Sequence, residues 1–315
     1  MNPLSLTYGA LSYARNLLFD TGLVSAHLRG PVVSVGSISA GGAGKTSFVI
    51  RLGELLQARQ VPFDVLSRGY GRKSKGVRLV QADGEPRVFG DEPLLIARRL
   101  GVPVVVGENR YHAGLFAEQK FGPQLHLLDD GFQHRALARD FDIVVLTTQE
   151  NDDRLLPVGR LREPLTSLRR ADAIVLVNNA ELPSVALKQD AIVLRARRKT
   201  LLASPAVRPL AFCGIARPDQ FFSELRGLGV SAVGEIAFPD HHAYDEPEIK
   251  RLLATARDKA AEGFVTTEKD LINLGPLVKA LQPLTLAKVE IEFEEGEAAV
   301  SKLLEAISAR GQGGS

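Results

Sequence analysis

The most informative segment of the chain reads Val32-Val33-Ser34-Val35-Gly36-Ser37-Ile38-Ser39-Ala40-Gly41-Gly42-Ala43-Gly44-Lys45-Thr46. A short apolar run with strand character leads into a glycine-rich turn, and Gly-Lys-Thr then opens a helical pattern. Glycines let the backbone wrap closely around phosphate groups, while consecutive N–H groups and a helix N-terminus supply positive potential. The segment therefore predicts a phosphate-binding loop for a nucleotide.

Each residue of this loop has an expected place at the nucleotide. Lys45 is predicted to reach the terminal phosphates, and the Thr46 hydroxyl is predicted to bind Mg²⁺. Ser39 replaces the first glycine of the usual eight-residue pattern, but the strand before it and the helix after it fit that pattern. The predicted ATP-binding residues are Ser39, Ala40, Gly41, Gly42, Ala43, Gly44, Lys45 and Thr46.

Two features of the sequence exclude related nucleotide-binding proteins. Ala40 stands where ATPases with a similar loop commonly carry a second lysine, so the chain does not match those ATPases. Residues 178–181 read Asn-Asn-Ala-Glu and lack the lysine and the aspartate of the motif that reads guanine, which favours ATP over GTP.

Composition excludes several classes of protein. The chain has 315 residues with 45% hydrophobic and 24% charged residues, which is typical of a folded protein with one or two domains. A net charge of +2 gives no reason to expect a nucleic-acid partner. The single cysteine, Cys213, rules out an internal disulfide and suits a reducing compartment. Because the chain shows neither a secretory signal nor 18 uninterrupted apolar residues, we expect a cytoplasmic protein.

Short apolar runs alternate with helical patterns along the chain, which predicts an α/β fold with a mainly parallel sheet. Together with the loop, this alternation predicts a P-loop NTPase-like three-layer α/β/α sandwich followed by a second, smaller α/β domain. We place the first domain at 31–180, the second at 181–310 and a disordered tail at 311–315. A β-hairpin is expected from Val77–Val80 and Pro86–Phe89, because Asp83-Gly84 lies between them.

The first 30 residues are unusually apolar for a chain terminus. Leu4, Tyr8, Leu11, Arg15 and Leu18 fall near one helical stripe, and further apolar residues widen it. A helix of this kind either packs on the body of the protein or lies in a lipid interface. The sequence leaves both interpretations open.

Acidic residues and histidines mark three further candidate positions. Asp129 and Asp130 end an apolar strand, where a carboxylate can hold Mg²⁺ beside the loop. Asp91 begins a helical pattern, and by composition alone it is more simply a helix cap. Asp240-His241-His242 places imidazoles beside a carboxylate, and two adjacent histidines are not expected to face one site.

Taken in order and spacing, these motifs resemble the tetraacyldisaccharide 4′-kinase family over nearly the whole chain, from Leu4 to about Leu274. The motifs that carry the resemblance, besides the loop at 39–46, are Leu66-Ser67-Arg68-Gly69-Tyr70-Gly71-Arg72, Gly90-Asp91-Glu92-Pro93, Asp129-Asp130-Gly131-Phe132-Gln133-His134, Leu156-Pro157 with Leu161-Arg162-Glu163-Pro164, Phe212-Cys213-Gly214-Ile215-Ala216, Phe238-Pro239-Asp240-His241-His242 and Thr266-Thr267-Glu268-Lys269-Asp270.

The resemblance implies an enzyme that transfers the γ-phosphate of ATP to the 4′-hydroxyl of tetraacyldisaccharide 1-phosphate, forming lipid IVA. It implies Mg²⁺ as cofactor, a lipid-linked disaccharide as substrate and peripheral attachment to the cytoplasmic face of the inner membrane through the N-terminal helix. We expect a monomer that has no nucleic-acid partner.

The resemblance also assigns site residues. It pairs Asp91 with His241 in catalysis alongside Lys45, which replaces the helix-cap interpretation of Asp91. The residues implied to bind the metal are Thr46, Asp129, Asp130 and Glu163. The residues implied to contact the substrate are Arg68, Tyr70, Arg110, Gln133 and His134.

Two departures from the family pattern occur at the loop: Gly36-Ser37 stands in place of Gly-Asn, and Thr46 is followed by Ser47 in place of proline. Neither removes a group expected to touch phosphate. Three alternatives remain: a metallochaperone or partitioning ATPase, a nucleotide-binding module without catalysis, and a kinase for a soluble sugar. The first would need a second loop lysine or a metal relay of cysteine and histidine, and the last is disfavoured by the apolar N-terminus.

Overall fold

The computed structural model describes residues 16, 18, 19, 25–41, 44–148, 150 and 153–312. The elements of the first half are β1 (Val32–Gly36), α1 (Lys45–Ala58), β2 (Phe63–Ser67), β3 (Arg78–Leu79), α2 (Pro86–Phe89), α3 (Asp91–Leu100), β4 (Val104–Val106), α4 (Arg110–Phe121), β5 (Leu125–Asp129), β6 (Phe141–Leu146), a 3₁₀ helix (Leu165–Arg170) and β7 (Ala173–Val177).

The second half continues the alternation of strands and helices. Its elements are β8 (Ile192–Leu202), β9 (Pro209–Cys213), α5 (Pro218–Gly227), β10 (Gly234–Ala237), α6 (Glu246–Asp258), β11 (Gly263–Thr267), α7 (Glu268–Leu274), a 3₁₀ helix (Gly275–Ala280), β12 (Leu284–Phe293) and α8 (Gly296–Gln312).

These strands form one continuous sheet in the order β10-β9-β11-β12-β8-β7-β6-β1-β5-β2-β4-β3. Neighbouring strands are parallel except for the β8–β12 and β3–β4 pairs, which are antiparallel. Strand β1 lies between β5 and β6, and all its residues are buried. The predicted α/β fold with a mainly parallel sheet is confirmed.

Helices cover both faces of the first half of the sheet. On one face, Phe48 and Leu52 of α1 pack with Leu94 of α3 against the side chains of Val33 and Val35. On the other face, α4 packs against β1, β2 and β5, and the 3₁₀ helix at 165–170 packs against β6 and β7. Alternate strand residues therefore enter opposite cores, which explains the nearly unbroken apolar runs.

The two halves are joined by more than the chain connection at residue 180. Strands β7 and β8, on either side of that position, pair in parallel. Helix α8 returns to the first half, where Leu303, Leu304 and Ile307 share a hydrophobic core with Phe48. The helix includes Gly311 and Gln312, so the tail predicted at 311–315 begins within it.

The predicted hairpin at 77–89 is wrong. Arg78–Leu79 instead forms an antiparallel edge pair with β4, and Pro86–Phe89 forms a short helix. Pro86 has no N–H to donate to a strand partner, and its fixed φ suits the first position of a helix. The Asp83-Gly84 pair does form a turn, closed by the Gly84 N–H on the Gln81 carbonyl at 2.8 Å.

The parallel topology determines where a site can form. Strands β1, β2 and β5 end at Gly36, Ser67 and Asp129, which lie along one edge of the sheet. Ligands bind outside the carboxyl ends of the strands in open α/β sheets. In the described part of the chain, no helix has the length and apolar character needed to cross a membrane.

Candidate active site

A cleft of about 750 Å³ opens along this edge, and both halves of the chain line it. The sequence-predicted residues that line it are Ala40, Gly41, Gly44, Lys45, Thr46, Arg68, Tyr70, Arg110, Asp129, Asp130, Gln133, His134, Glu163 and His241. Ser39 and Asp91 are buried just behind the lining. Gly42 and Ala43 lie outside the described residues.

The phosphate loop is fixed at its start by buried side chains. The Ser39 hydroxyl donates to Glu150 Oε1 at 2.6 Å, and the other oxygen of Glu150 accepts the N–H and the hydroxyl of Thr147. Gly44 has φ +73°, a left-handed conformation that favours glycine immediately before α1. Ser39, the departure from the usual loop pattern, therefore anchors the loop. Sequence reasoning missed Glu150, because no motif marks it.

Lys45 and the aspartate pair carry opposite charges at the centre of the cleft. Lys45 Nζ lies 3.5 Å from Asp130 Oδ1, and Arg162 Nη1 lies 2.8 Å from Asp130 Oδ2. Burial alone would raise the pKa of Asp130, but the charges of Lys45 and Arg162 outweigh it and hold that pKa below the usual value. Asp130 is therefore a paired anion between two cations.

Asp129 differs sharply from its neighbour. Ser67 donates its hydroxyl to Asp129 Oδ2 at 3.0 Å, whereas Oδ1 is buried and has no hydrogen-bond partner. Burial, together with the charges of Glu92 and Asp130, raises the pKa of Asp129 to about 7. A buried carboxylate oxygen without a donor is a natural ligand for a divalent cation. Asp129 and the Thr46 hydroxyl, which line the same cleft, thus fit Mg²⁺.

Glu163 is also buried at the cleft, but its carboxylate is already engaged. Its Oε2 lies 2.9 Å from Arg170 Nη2 and accepts a hydrogen bond of 2.9 Å from Asn16 Nδ2. Within the described ranges, no three histidine, cysteine, aspartate or glutamate side chains converge as a metal cluster. Mg²⁺ in nucleotide sites commonly uses one or two protein carboxylates with water and phosphate, so such a cluster is not required.

Asp91 and His241 meet across the two halves of the chain. His241 Nδ1 lies 3.0 and 2.8 Å from the two oxygens of Asp91, and Asn273 donates to Oδ2 at 3.2 Å. Gly90, not Asp91, is the N-cap residue of α3. His241 faces the cleft, whereas Asp91 is almost fully buried behind it.

The pair shifts the pKa of both members. Burial would raise the pKa of Asp91, but the hydrogen bond from His241 and the charge of Lys269 outweigh it and lower that pKa to about 2. The hydrogen bond to Asp91 raises the pKa of His241 against burial and the charge of Lys269. Lys269, which lies 3.0 Å from Glu92 Oε1, belongs to a family motif but was given no role from the sequence.

His242 points elsewhere, as expected for one of two adjacent histidines. Its Nε2 lies 2.8 Å from the Glu248 carboxylate, and its ring stacks on Phe238 with 4.8 Å between centroids. The neighbouring residue His241 has φ +57°, which separates the directions of the two side chains.

The residues predicted to contact substrate surround the pair and the loop. Tyr70 is 67% exposed, and its ring lies 5.4 Å from that of His241. Arg110 is buried, and its Nε has no hydrogen-bond partner. Gln133 donates to the Ser37 carbonyl at 2.9 Å, which ties it to the start of the phosphate loop. Arg68 is exposed at the cleft, and His134 lines it as well.

Comparison with known proteins matches the sequence and the fold to one family. A family model described as tetraacyldisaccharide-1-P 4′-kinase (LpxK) matches residues 1–308. The tetraacyldisaccharide 4′-kinase of Koribacter versatilis is 47% identical over 98% of this chain and 99% of its own length. That of Geobacter metallireducens is 36% identical over 96% of both chains.

A solved structure agrees over the same length. The crystal structure of the "apo" form of LpxK from Aquifex aeolicus in complex with ATP superposes with a TM-score of 0.80 and 36% identity, covering 98% of each chain. Fold, full-length sequence similarity and the order of the motifs therefore agree, and the chain belongs to the tetraacyldisaccharide 4′-kinase family.

Proposed function

We propose that this chain transfers the γ-phosphoryl group of ATP to the 4′-hydroxyl of a tetraacylated disaccharide 1-phosphate, which yields the bis-phosphorylated lipid A precursor lipid IVA. Membership of the family makes the chain an ATP-dependent kinase of lipid A biosynthesis. One observation carries the proposal at the level of chemistry. A single cleft is lined by a phosphate loop, by an aspartate with a buried oxygen that lacks a hydrogen-bond partner, and by the histidine of an aspartate–histidine pair.

The phosphate loop and Lys45 bind and orient the phosphates of ATP. Positioning and charge stabilisation account for most of the catalysis of phosphoryl transfer, because the transition state is loose. Lys45 Nζ lies 3.5 Å from Asp130 Oδ1 inside the cleft. Its ammonium group would therefore lie close to phosphates bound there and stabilise their charge.

The residues that would hold Mg²⁺ are Asp129 and Thr46, with Asp130 and Glu163 beside them. Mg²⁺ would neutralise the negative charge on the phosphate oxygens. The support from this chain is the buried Oδ1 of Asp129, which has no protein donor. Asp130 and Glu163 are already paired with Lys45, Arg162 and Arg170, so we place them second to Asp129.

The geometry refines the roles expected for Asp91 and His241. The resemblance makes them partners, and Asp91 is the simpler candidate for the base. However, the imidazole of His241 stands between the Asp91 carboxylate and the cleft, and both Asp91 oxygens are hydrogen-bonded. We therefore assign proton uptake from the acceptor hydroxyl to His241. Asp91 orients the ring and stabilises the imidazolium that forms.

The acceptor would lie beside this pair. Tyr70, next to His241, offers a ring face and a hydroxyl to the sugar, while Arg68 and Arg110 offer cationic groups to the phosphate of the substrate. Gln133 and His134 complete the wall of the cleft next to the phosphate loop.

The acyl chains of the substrate suggest that the enzyme works at the cytoplasmic surface of the inner membrane, attached peripherally or shallowly inserted. Most of the N-terminal helix predicted at residues 1–30 lies outside the described residues. Within the described part, Leu18 is 64% exposed, while Asn16 and Phe19 contact Glu163 and Arg135 at the edge of the cleft. An exposed leucine near the cleft supports lipid contact there.

The first prediction tests the reaction itself. Incubation of the full-length chain with labelled ATP and the acylated disaccharide 1-phosphate should give a bis-phosphorylated product on chromatography. The variant Lys45→Ala should lose about 10²–10³-fold in rate, because a charge that stabilises the transition state is removed. A chain that phosphorylates a soluble disaccharide equally well, or only hydrolyses ATP, would contradict the acceptor assignment.

The second prediction concerns pH. If His241 takes up the proton, kcat should rise with pH through the neutral range, with its midpoint above about 6.5, the ordinary pKa of histidine. In Asp91→Asn the midpoint should move to lower pH, because the carboxylate that raises the pKa of His241 is gone. The plateau of kcat should fall about 10²–10⁴-fold.

The exposed carboxylate of Asp190, outside the cleft, offers a matched control, and Asp190→Asn should leave the profile unchanged. A wild-type kcat that is flat between pH 6 and 9 would favour Asp91 itself as the base, because its pKa of about 2 leaves it ionised throughout.

The third prediction concerns Mg²⁺. Asp129→Asn should raise the Mg²⁺ concentration needed for half-maximal rate more than Glu163→Gln does, because Asp129 Oδ1 is buried without a hydrogen-bond partner, whereas the Glu163 carboxylate already pairs with Arg170. Without Mg²⁺ and at a pH above 7, where Asp129 is ionised, the Asp129→Asn protein should melt at a higher temperature than the wild type, since a neutral amide avoids burying an uncompensated charge. Identical Mg²⁺ titrations of rate and Tm in all three proteins would remove Asp129 from the metal site.

The fourth prediction concerns the membrane. Leu18→Ser should reduce flotation of the protein with liposomes and raise the apparent KM for substrate presented in them, because exposed apolar area is lost. Val207→Ser is the control, since Val207 is 76% exposed in the second half of the chain. If both variants float like the wild type, the membrane contact does not include Leu18.

A further inference from the structure

An arginine in the loop between β9 and α5 faces the phosphate loop from the second half of the chain. Arg217 directly precedes Pro218, the first residue of α5, and follows the motif at 212–216, to which no role was assigned from the sequence. It lines the main cleft together with Lys45 and Thr46. It also lines an adjoining cavity of about 470 Å³ that Gly44 borders. Arg217 therefore lines both cavities that the N-terminus of α1 also lines.

The backbone that carries Arg217 is held in place. The Gly214 N–H donates to Asp270 Oδ1 at 2.7 Å, and Asp270 is fully buried. Tyr244 donates to the same oxygen, and Thr267 donates to the other one. These bonds hold the start of the loop in place, which lowers the energetic cost of ordering it when a ligand binds.

The guanidinium of Arg217 has no protein partner within the described part of the chain, although the neighbouring arginines do. Arg198 pairs with Glu224, and Arg160 pairs with Asp153 at 3.0 Å. The nearby carboxylate of Glu150 is occupied by Ser39 and Thr147. Burial lowers the pKa of Arg217, and the charges of Arg160 and Arg198 lower it further, against Glu150. A partly buried cation among other cations is unfavourable unless an anion joins it.

From this position we infer that Arg217 binds the terminal phosphates of ATP, as a phosphate-binding residue supplied by the second half of the chain. The inference rests on the proposed function, because it needs ATP at the loop of residues 39–46. A guanidinium presents a planar fork of donors that matches phosphate oxygens in pairs. Arginines supplied in this way stabilise the charge of phosphoryl transfer in other nucleotide enzymes.

If ATP binds Arg217, it also connects the two halves of the chain. The loop of residues 39–46 belongs to the first half and Arg217 belongs to the second, so bound phosphates would contact both walls of the cleft. The same halves supply Asp91 and His241. ATP bound through Arg217 would therefore favour the arrangement of the two halves in which the aspartate–histidine pair is assembled.

The test compares full-length wild type, Arg217→Ala and Arg217→Lys by calorimetric binding of MgATP and of AMP, followed by steady-state kinetics. For Arg217→Ala we expect the Kd for MgATP to rise about 10–100-fold while that for AMP changes less than threefold, because AMP lacks the terminal phosphates. Arg217→Lys should recover part of the affinity, since it retains the charge but not the fork. The Tm without nucleotide should stay within two degrees of the wild type.

Arg226→Ala is the matched control, because Arg226 lies on α5, the helix that Arg217 precedes, and pairs with Glu235. It should bind MgATP like the wild type. Unchanged MgATP affinity and kcat/KM in Arg217→Ala would overturn the inference, as would an equal loss of affinity for AMP. The binding arm needs no acceptor. If wild-type protein binds ATP through Arg217 but does not phosphorylate the acylated disaccharide, the acceptor assignment fails while this inference stands.

Discussion

The end of β1 and the backbone that follows β5 lie so close together that only glycine fits between them. A Cβ atom at Gly36 would lie 2.5 Å from the Cβ of Phe132 and 2.8 Å from its backbone nitrogen. Phe132 is itself fully buried, and the guanidinium of Arg170 lies 4.5 Å from its ring. This contact fixes the phosphate loop, which leaves β1, relative to Asp129 and Asp130, which end β5. In the proposed reaction these groups act together on the phosphates, so the proposed site depends on this contact.

The distribution of charge in the cleft follows from the cost of burying ions. Asp130 lies between Lys45 and Arg162, and Asp91 lies under His241. Among these buried acids, Asp129 is the exception, because one of its oxygens has neither a cation nor a donor among the described residues. Buried charges are normally paired or bind a metal, so an unpaired one beside a phosphate loop has a ready explanation in Mg²⁺. The excess of arginine across the cleft suits a ligand with several negative charges.

The second half of the chain completes the site and is not an appended module. It contributes His241 to the pair with Asp91, Lys269 to Glu92 and Arg217 to the wall that faces the loop. It also contacts the first half directly: β8 pairs with β7, and α8 packs in the same hydrophobic core as α1. The relative position of the two halves is thereby linked to the assembly of the site.

The sequence by itself determined the features that depend on residues close together in the chain. It predicted the strand–loop–helix at 32–59, the runs of buried strands and, through its motifs, the family and most residues of the cleft. Helix α4 was not predicted, because its buried face consists mainly of small residues such as Ala113, Gly114 and Ala117 and shows no strong apolar stripe. Pro86–Phe89 was wrongly predicted as a strand, because a turn signal precedes it.

Only the tertiary structure decided which side chains face each other. Asp91 and His241 are 150 positions apart, and Ser39 and Glu150 are 111 apart. No local pattern encodes such pairs, because they arise where parallel strands, joined by crossovers of varied length, bring their carboxyl ends to one edge of the sheet. For the same reason, the order of His241 in front of Asp91, the free oxygen of Asp129 and the position of Arg217 could be read only from the folded chain.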